Sequence, residues 1–242
     1  MIIVKLGGSV ITDKSYYRKF RSGAVKKISK VLSDFNDIII VHGGGSFGHI
    51  KAKEYGLPGK ISVKTLSGMN VVHNDMLELN VKVSRILNEN GIFNISIPIP
   101  AISRNGRIDY TSFIEYIKAG ITPVSFGDIY VKNGTIGIYS GDNIVYDLSF
   151  IYKPDTVVFM SNVDGIFDKN PEIYKDARLL RNPDIELNFE SKYNDVTGGM
   201  KSKLDIMKRI ARLGVKVYLI NGNYPERIYD LNNDDFIGSV IE

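Results

Sequence analysis

The residues best suited to chemistry lie in a glycine-rich stretch that begins at His42 and ends at His49. It reads His-Gly-Gly-Gly-Ser-Phe-Gly-His and follows an apolar run at residues 38–41, which predicts a buried strand leading into a helix. Glycines at such a turn let the backbone approach a ligand closely and present N–H groups to an anion. We therefore expect the turn to bind a phosphate and His49 to hold a second anionic group.

Several other predicted strands also end in glycine or in a glycine–aspartate pair. They end at Gly7-Gly8, Gly127-Asp128 and Asp164-Gly165. Ligands of open α/β sheets bind at the carboxyl ends of strands. A turn alone explains any one of these glycines, but their number favours a phosphate-rich site. The sequence has no G-x-x-x-x-G-K-[ST] motif, so backbone N–H groups and lysines from several loops would hold the phosphates.

Three lysines and one aspartate are candidate partners for these phosphates. Lys5 lies inside an apolar strand, where an ammonium is costly unless an anion meets it, and this favours a binding role. Lys14, in a predicted loop, is a surface residue by default. Lys203 follows a predicted helix start and is as easily solvated as bound. Asp142, near a helix start, is most simply an N-cap, although it could also orient a pair of lysines.

The other two histidines have structural interpretations. His42 ends a buried strand, and His73 lies on a long predicted helix as a satisfied core or surface residue. No two histidines stand at i and i+4 with a glutamate between them, so a zinc protease site is excluded.

Composition excludes several classes of protein. The chain has 242 residues, of which 43% are hydrophobic and 24% charged, as is usual for globular proteins. Its net charge of +4 comes from lysines and arginines spread along the chain, so nucleic acid is not an expected partner. There is no cysteine, which excludes disulfides and thiolate chemistry. The sequence shows neither a leader nor a membrane-spanning run, and we expect a cytoplasmic protein.

Alternating strand and helix patterns predict the elements that position these residues. Predicted strands lie at residues 2–6, 38–42, 93–97, 121–126, 156–160, 215–220 and 237–241. Predicted helices begin near Ser22 as N-cap and lie at 63–90, 111–118, 140–152, 197–213 and 225–231, with loops at 12–21 and 170–196. Asn133-Gly134 predicts a hairpin. The expected fold is a three-layer αβα sandwich with an open, mainly parallel sheet.

Six motifs together resemble the amino acid kinase superfamily, and they follow that family's order over nearly the whole chain. They are Lys5 to Ser9, His42 to Gly45, Gly127-Asp128, Ser140 to Asp142, Asn162 to Asp168 and Thr197 to Lys203. The resemblance implies the αβα fold, an acceptor lobe at about 1–153, a nucleotide lobe at about 154–242, and a homodimer. Residues 43–49 further resemble the isopentenyl phosphate kinases and, through the histidine, the fosfomycin kinases.

The resemblance implies a role for each matching residue. Transfer would involve Lys5, Lys14, His49, Asp142 and Lys203, with Asp142 holding the lysines Lys5 and Lys203. The acceptor phosphate would be bound by Gly8, Gly44, Gly127 and His49, with Gly44, Gly45 and Gly127 offering backbone N–H donors to it. The nucleotide would be bound by Lys5, Gly7, Gly8, Ser9, Gly45, Asp164, Gly165, Lys169, Gly199 and Lys203. Asn162 stands where many relatives have aspartate.

The implied reaction is ATP-dependent phosphorylation of isopentenyl phosphate to isopentenyl diphosphate in isoprenoid synthesis. An acceptor phosphate is already an anion, since its second pKa is about 6, and it needs no strong base. Lysines, glycine N–H groups and Mg²⁺ reduce the repulsion between the two phosphates. No cluster of metal ligands is visible, so Mg²⁺ is expected to arrive on ATP.

These motifs leave the identity of the acceptor open. The hydrocarbon tail would need an apolar pocket, for which Leu66, Met69, Val71 and Val72 are possible walls, although such spacing usually marks a core. Two alternatives are a kinase of another small phosphate or phosphonate, such as fosfomycin, and a non-catalytic nucleotide sensor of the same fold.

Overall fold

A seven-stranded sheet forms the centre of the protein, in a computed structural model that describes residues 1–104, 106–171, 173–183 and 198–242. Its strand order is β7-β6-β5-β1-β2-β4-β3, and only the edge strand β7 runs antiparallel to its neighbour. The strands are β1 (Ile2–Leu6), β2 (Ile38–His42), β3 (Asn94–Ser96), β4 (Thr122–Phe126), β5 (Thr156–Ser161), β6 (Lys216–Asn221) and β7 (Ser239–Ile241).

Helices cover both faces of this sheet. They are α1 (Gly8–Ile11), α2 (Ser22–Leu32), α3 (Gly45–Tyr55), α4 (Val63–Glu89), α5 (Ile99–Ile102), α6 (Thr111–Lys118), α7 (Gly141–Tyr152) and α8 (Gly198–Ala211), followed by a 3₁₀ helix at Pro225–Asp230. In the described residues, no helix is both long and apolar enough to cross a membrane.

Side chains along the central strands point alternately to the two faces of the sheet, and this divides the core into two layers. Val4 packs with α2, α3 and α4, whereas its neighbour Ile3 packs with α6, α7 and α8. Successive strand residues point to opposite faces, so strands buried on both faces must be apolar throughout. The predicted three-layer αβα sandwich with a mainly parallel sheet is therefore confirmed.

Shorter strands form small antiparallel sheets around the central one. One has three strands, with Thr135–Tyr139 between Asp128–Lys132 and Gly59–Lys60. The others are the pairs Thr12–Asp13 with Lys19–Phe20, Ser103–Arg104 with Arg107–Ile108, and Ile166–Phe167 with Leu179–Leu180. The predicted hairpin is confirmed, because Asn133 and Gly134 both adopt the left-handed φ that its turn requires.

Four local predictions need correction. Residues 12–21 contain a strand pair rather than only a loop. Ser22 is the first residue of α2, and Arg21 occupies the N-cap. Asp142 is not the N-cap of α7, because the Ser140 hydroxyl caps it by accepting a hydrogen bond from the N–H of Asn143 at 3.1 Å. The predicted loop at 170–196 contains the short strand Leu179–Leu180, and its residues 172 and 184–196 lie outside the described residues.

Candidate active site

Two glycine turns meet at the carboxyl ends of β1 and β2. A Cβ added to Gly8 would lie 2.4 Å from the backbone nitrogen of Gly45, closer than Cβ atoms approach any atom. Gly45 itself has a left-handed φ of +49°. Only glycines allow the two backbones to come this close, so their spacing fixes the centre of the site.

Thr12 joins these turns. Its hydroxyl donates to the carbonyl oxygen of Gly8 at 2.7 Å and accepts from the N–H of Ser46 at 2.9 Å. Sequence reasoning missed this role, since a threonine after an apolar run carries no signal of its own. The hydroxyl holds the two phosphate-binding turns in one arrangement.

Unused backbone donors line the junction. Among the residues that the structure describes, none accepts a hydrogen bond from the N–H of Gly8, Ser9, Gly44 or Gly45. Gly127 differs from the expectation, because its N–H already donates to the carbonyl oxygen of His42 at 3.1 Å. Gly127 lines the neighbouring cavity without offering that donor. The free N–H groups can receive anions, as helix and turn N-termini do.

The buried ammonium of Lys5 has a carboxylate partner. Lys5 is 6% exposed and forms an ion pair with Asp142, on the first turn of α7. Lys203 donates to the hydroxyl of Ser161 at 3.2 Å. Burial, and then the charge of Lys5, lower the pKa of Lys203 to about 8, and Asp142 opposes this change. The structure thus brings Lys5, Lys203 and Asp142 together, with Asp142 in direct contact with Lys5.

His49 stands beside the same charges. Its pKa lies below the ordinary 6.5 because of burial, and next because of the ammonium groups of Lys14 and Lys5, while Asp142 acts in the opposite direction. The charge of Lys14 also lowers the pKa of Lys203. Although Lys14 is exposed, its charge therefore acts on both His49 and Lys203.

A cavity of about 130 Å³ opens from the glycine turns. Its lining combines the polar residues Lys5, Gly8, Gly44, His49 and Asp142 with the apolar side chains Ala52, Val72, Met76, Ile129 and Ile138. Four residues of α4 were predicted as possible walls of a pocket for the hydrocarbon tail. Of these, Val72 lines this cavity, whereas Leu66 is 44% exposed on the protein surface. Met69 and Val71 are not among the residues that line it.

Asp128 also lines this cavity, and it is paired with His73. The His73 Nδ1 lies 2.9 Å from a carboxylate oxygen of Asp128, which agrees with the prediction of a satisfied histidine. Burial raises the pKa of the Asp128 carboxyl, and His73 opposes the rise. His42 is fully buried, stacks on Phe126 and has a pKa lowered by burial to about 4, as suits a structural residue.

The expected nucleotide residues lie at the ends of β5 and β6. The Asp164 carboxylate accepts from Arg227 at 2.6 Å and from Asn221 at 3.1 Å, and sequence reasoning found neither donor. Ser9 donates to the side chain of Asn162 at 3.0 Å, so the unusual Asn162 faces the β1 turn.

The other expected nucleotide residues differ in their surroundings. A Cβ on Gly165 would lie 2.6 Å from the Ser239 hydroxyl, so a close approach to β7 explains this glycine. Lys169 forms an ion pair with Asp176. Gly7 donates its N–H to Met160, and Gly199 lies in the first turn of α8. Thr197 lies outside the described residues.

This chain belongs to the amino acid kinase family, whose model matches residues 1–221. Among its relatives are isopentenyl phosphate kinases. The enzyme of Thermoplasma acidophilum is 50% identical over 100% of both chains, and that of Methanothermobacter thermautotrophicus is 32% identical over 94% of this chain and 93% of its own. A crystal structure of the T. acidophilum enzyme in a product complex matches with a TM-score of 0.91 and 47% identity, covering 100% of both chains. The predicted family is confirmed.

Proposed function

We propose that this chain is an isopentenyl phosphate kinase, which transfers the γ-phosphoryl group of ATP to isopentenyl phosphate. The observation that carries the proposal is a single cavity whose lining includes both anion-binding groups and hydrocarbon side chains. The full-length similarity to isopentenyl phosphate kinases supports the same acceptor.

Transfer requires an oxygen of the acceptor phosphate to attack the γ-phosphorus. The bond from that phosphorus to the β–γ bridging oxygen breaks as the new P–O bond forms, and ADP leaves with that oxygen. The attacking oxygen is already anionic, so no proton has to be removed first. The obstacle is repulsion between two polyanions, and positioning and charge neutralisation provide most of the catalysis. Lys5, Lys14 and Lys203 supply three positive charges for this purpose, and His49 donates a hydrogen bond to the acceptor phosphate.

The apolar side chains in the lining suit a hydrocarbon tail. Val72, Met76 and Ile138 present mainly hydrocarbon surface to the cavity. A five-carbon tail would bury apolar surface against them, which favours its binding. Fosfomycin has a shorter, epoxide-bearing carbon chain and would bury less apolar surface there, which disfavours that alternative.

A non-catalytic sensor would not require the buried Lys5–Asp142 pair. Burying an ion pair costs desolvation energy, and a sensor would not need this pair together with Lys203 and His49 around the acceptor cavity. Product formation separates the two functions directly.

Further features of the proposal follow from the family. The acceptor would bind to residues of about 1–153 and the nucleotide to those of about 154–242, in a cytoplasmic homodimer. Mg²⁺ would be held mainly by ATP oxygens, since the described residues hold no group of three or more metal-ligating side chains. The ion would supply further charge neutralisation. Light scattering tests the dimer, and activity after chelation tests the metal requirement.

The direct test is an ADP-release assay with isopentenyl phosphate, dimethylallyl phosphate, fosfomycin, uridine monophosphate and acetylglutamate. We expect the highest kcat/KM with the two five-carbon phosphates. A higher kcat/KM with fosfomycin, uridine monophosphate or acetylglutamate, or no ADP release with isopentenyl phosphate, would refute the proposal.

Two variants assign the two sides of the site. His49→Ala should lower transfer more than about tenfold, as expected for loss of a charge-assisted hydrogen bond, while ATP binding persists. Lys203→Ala should weaken the use of ATP, measured as a higher KM for ATP, a lower kcat or both. Lys27→Ala, which removes an exposed lysine of α2, is the matched control and should leave kcat and the KM for ATP unchanged. Wild-type constants in either site variant would remove that residue from the mechanism.

A further inference from the structure

The loop that carries Lys14 is attached to the long helix α4. Residues 14–18 connect the short strands Thr12–Asp13 and Lys19–Phe20, and Tyr17 and Arg18 reach across to α4. Tyr17 donates a hydrogen bond to the carboxylate of Asp75, and the Arg18 Nε lies 3.5 Å from the other carboxylate oxygen. The same guanidinium forms an ion pair with Glu78, one turn further along α4.

Asp75 is unusual for a residue of a surface helix because it is only 5% exposed. A carboxylate at this depth is costly unless it is paired, and both of its partners described here come from the Lys14 loop. Arg18 also has a left-handed φ of +57°, which costs a residue with a side chain about 1 kcal/mol. The contacts with α4 therefore impose the conformation of the loop.

The base of the same loop is fixed at the phosphate-binding turns. Thr12, two residues before Lys14, is bonded to both Gly8 and Ser46. Lys14 therefore lies between two anchors, one at the centre of the site and one on α4. Asp75 also directly precedes Met76, a wall of the acceptor cavity, so one short segment of α4 contacts both the loop and the cavity.

We propose that Asp75, through Tyr17 and Arg18, is a positioning residue that holds Lys14 at the phosphoryl-transfer site. The proposal rests on the proposed kinase function. Asp75 does not touch the reacting atoms; it restricts where the Lys14 ammonium lies, and Glu78 supports it by holding Arg18.

The kinetic test is a double-mutant cycle on the full chain with ATP and isopentenyl phosphate. Asp75→Asn removes the charge that holds the loop, and a misplaced catalytic group costs up to about 100-fold in rate. We expect kcat to fall while the KM for isopentenyl phosphate changes little. If Asp75 acts through Lys14, adding Asp75→Asn to Lys14→Ala should lower kcat no further. Effects that multiply in the double variant would overturn the proposal.

A second variant distinguishes loss of the contact with Asp75 from general destabilisation of the fold. Tyr17→Phe removes only the hydroxyl that reaches Asp75 and should lower kcat in the same direction. Tyr229→Phe is its matched control, since Tyr229 also donates to an aspartate, Asp34, on a surface away from the site. Equal kcat values for Tyr17→Phe, Tyr229→Phe and the wild type would contradict the proposal.

Limited proteolysis provides a measurement that needs no activity. Trypsin should cut after Arg18 and Lys19 faster in Asp75→Asn and Tyr17→Phe than in the wild type, because the loop is no longer held. Tyr229→Phe should cut at the wild-type rate. If the wild type does not phosphorylate isopentenyl phosphate, the proposed function is refuted, even if trypsin cleaves the two loop variants faster than the wild type. If the wild type is active and cleavage is unchanged in the variants, only the anchor is refuted.

Discussion

Replacement of Gly8 by alanine tests whether the contact between the two glycine turns sets the geometry of phosphoryl transfer. The added Cβ would lie 2.4 Å from the nitrogen and 2.7 Å from the Cα of Gly45, both of which are backbone atoms. A flexible side chain could move away, but these atoms cannot move without their turn. Thr12 opposes such a movement, since it bonds Gly8 to Ser46.

The expected loss of rate follows from how far the two turns must move apart. Ordinary contact begins near 3.4 Å, so the turns must separate by about 1 Å, and a misplacement of that size costs about 100-fold in rate. The added methyl group should also destabilise the fold by about 1–3 kcal/mol, as overpacked sites do. We therefore expect Gly8→Ala to remain folded with a lower melting temperature and to lose most of its kcat.

The assay combines ADP release with thermal unfolding. Gly23→Ala is the matched control, because Gly23 lies in α2 and an added Cβ there meets no atom within 4 Å. That control should keep its activity and gain up to about 1 kcal/mol, since alanine favours a helix over glycine. A folded Gly8→Ala variant with a kcat close to that of the wild type would refute the importance of the contact.

Three further predictions concern charge. The pKa of His49 lies below 6.5 in the free protein and should rise when a phosphate acceptor binds, because the anion offsets the two ammonium groups; NMR titration of the ring with and without acceptor measures this. Asp142→Asn leaves the Lys5 ammonium buried without an anion and should cost about 3 kcal/mol in unfolding experiments, whereas Asp155→Asn, at an exposed pair with the amino terminus, should cost little. The pKa of His42 falls to about 4 on folding, so the unfolded chain takes up the proton first, and stability should decrease as the pH falls from 6.5 towards 4. His42→Gln should remove that part of the slope, and urea unfolding over this pH range tests it.

The sequence was most informative where a local rule decides the structure. Apolar runs located the buried parallel strands because such strands are covered on both faces. Gly91, with its φ of +85°, follows the end of α4 as predicted, and Asn133-Gly134 forms the predicted turn. Lys5 stood out because a cation inside an apolar strand needs an anion.

Contacts between distant segments could not be predicted in the same way. Tyr17 and Asp75 are 58 positions apart, and Lys5 and Asp142 are 137 apart. Propensity alone assigned residues 12–21 to a loop, although contacts with α4 help to hold their strand pair in place. Gly127 was expected to donate to the acceptor because its type and position were visible, whereas the use of its N–H by His42 depends on the strand packing.

The balance of charge at the site explains the role of Asp142. Three ammonium groups act on the site, from Lys5, Lys14 and Lys203, and Asp142 neutralises one of them through its contact with Lys5. Burial first lowers the pKa values of His49 and Lys203, and the positive charge of the neighbouring ammonium groups lowers both further. Two phosphate ligands would offset this positive charge, and both are attracted by it. A second carboxylate at this point would stabilise the free protein and weaken the attraction for both substrates, so Asp142 is best understood as a group that orients a cation and not as an acid or base.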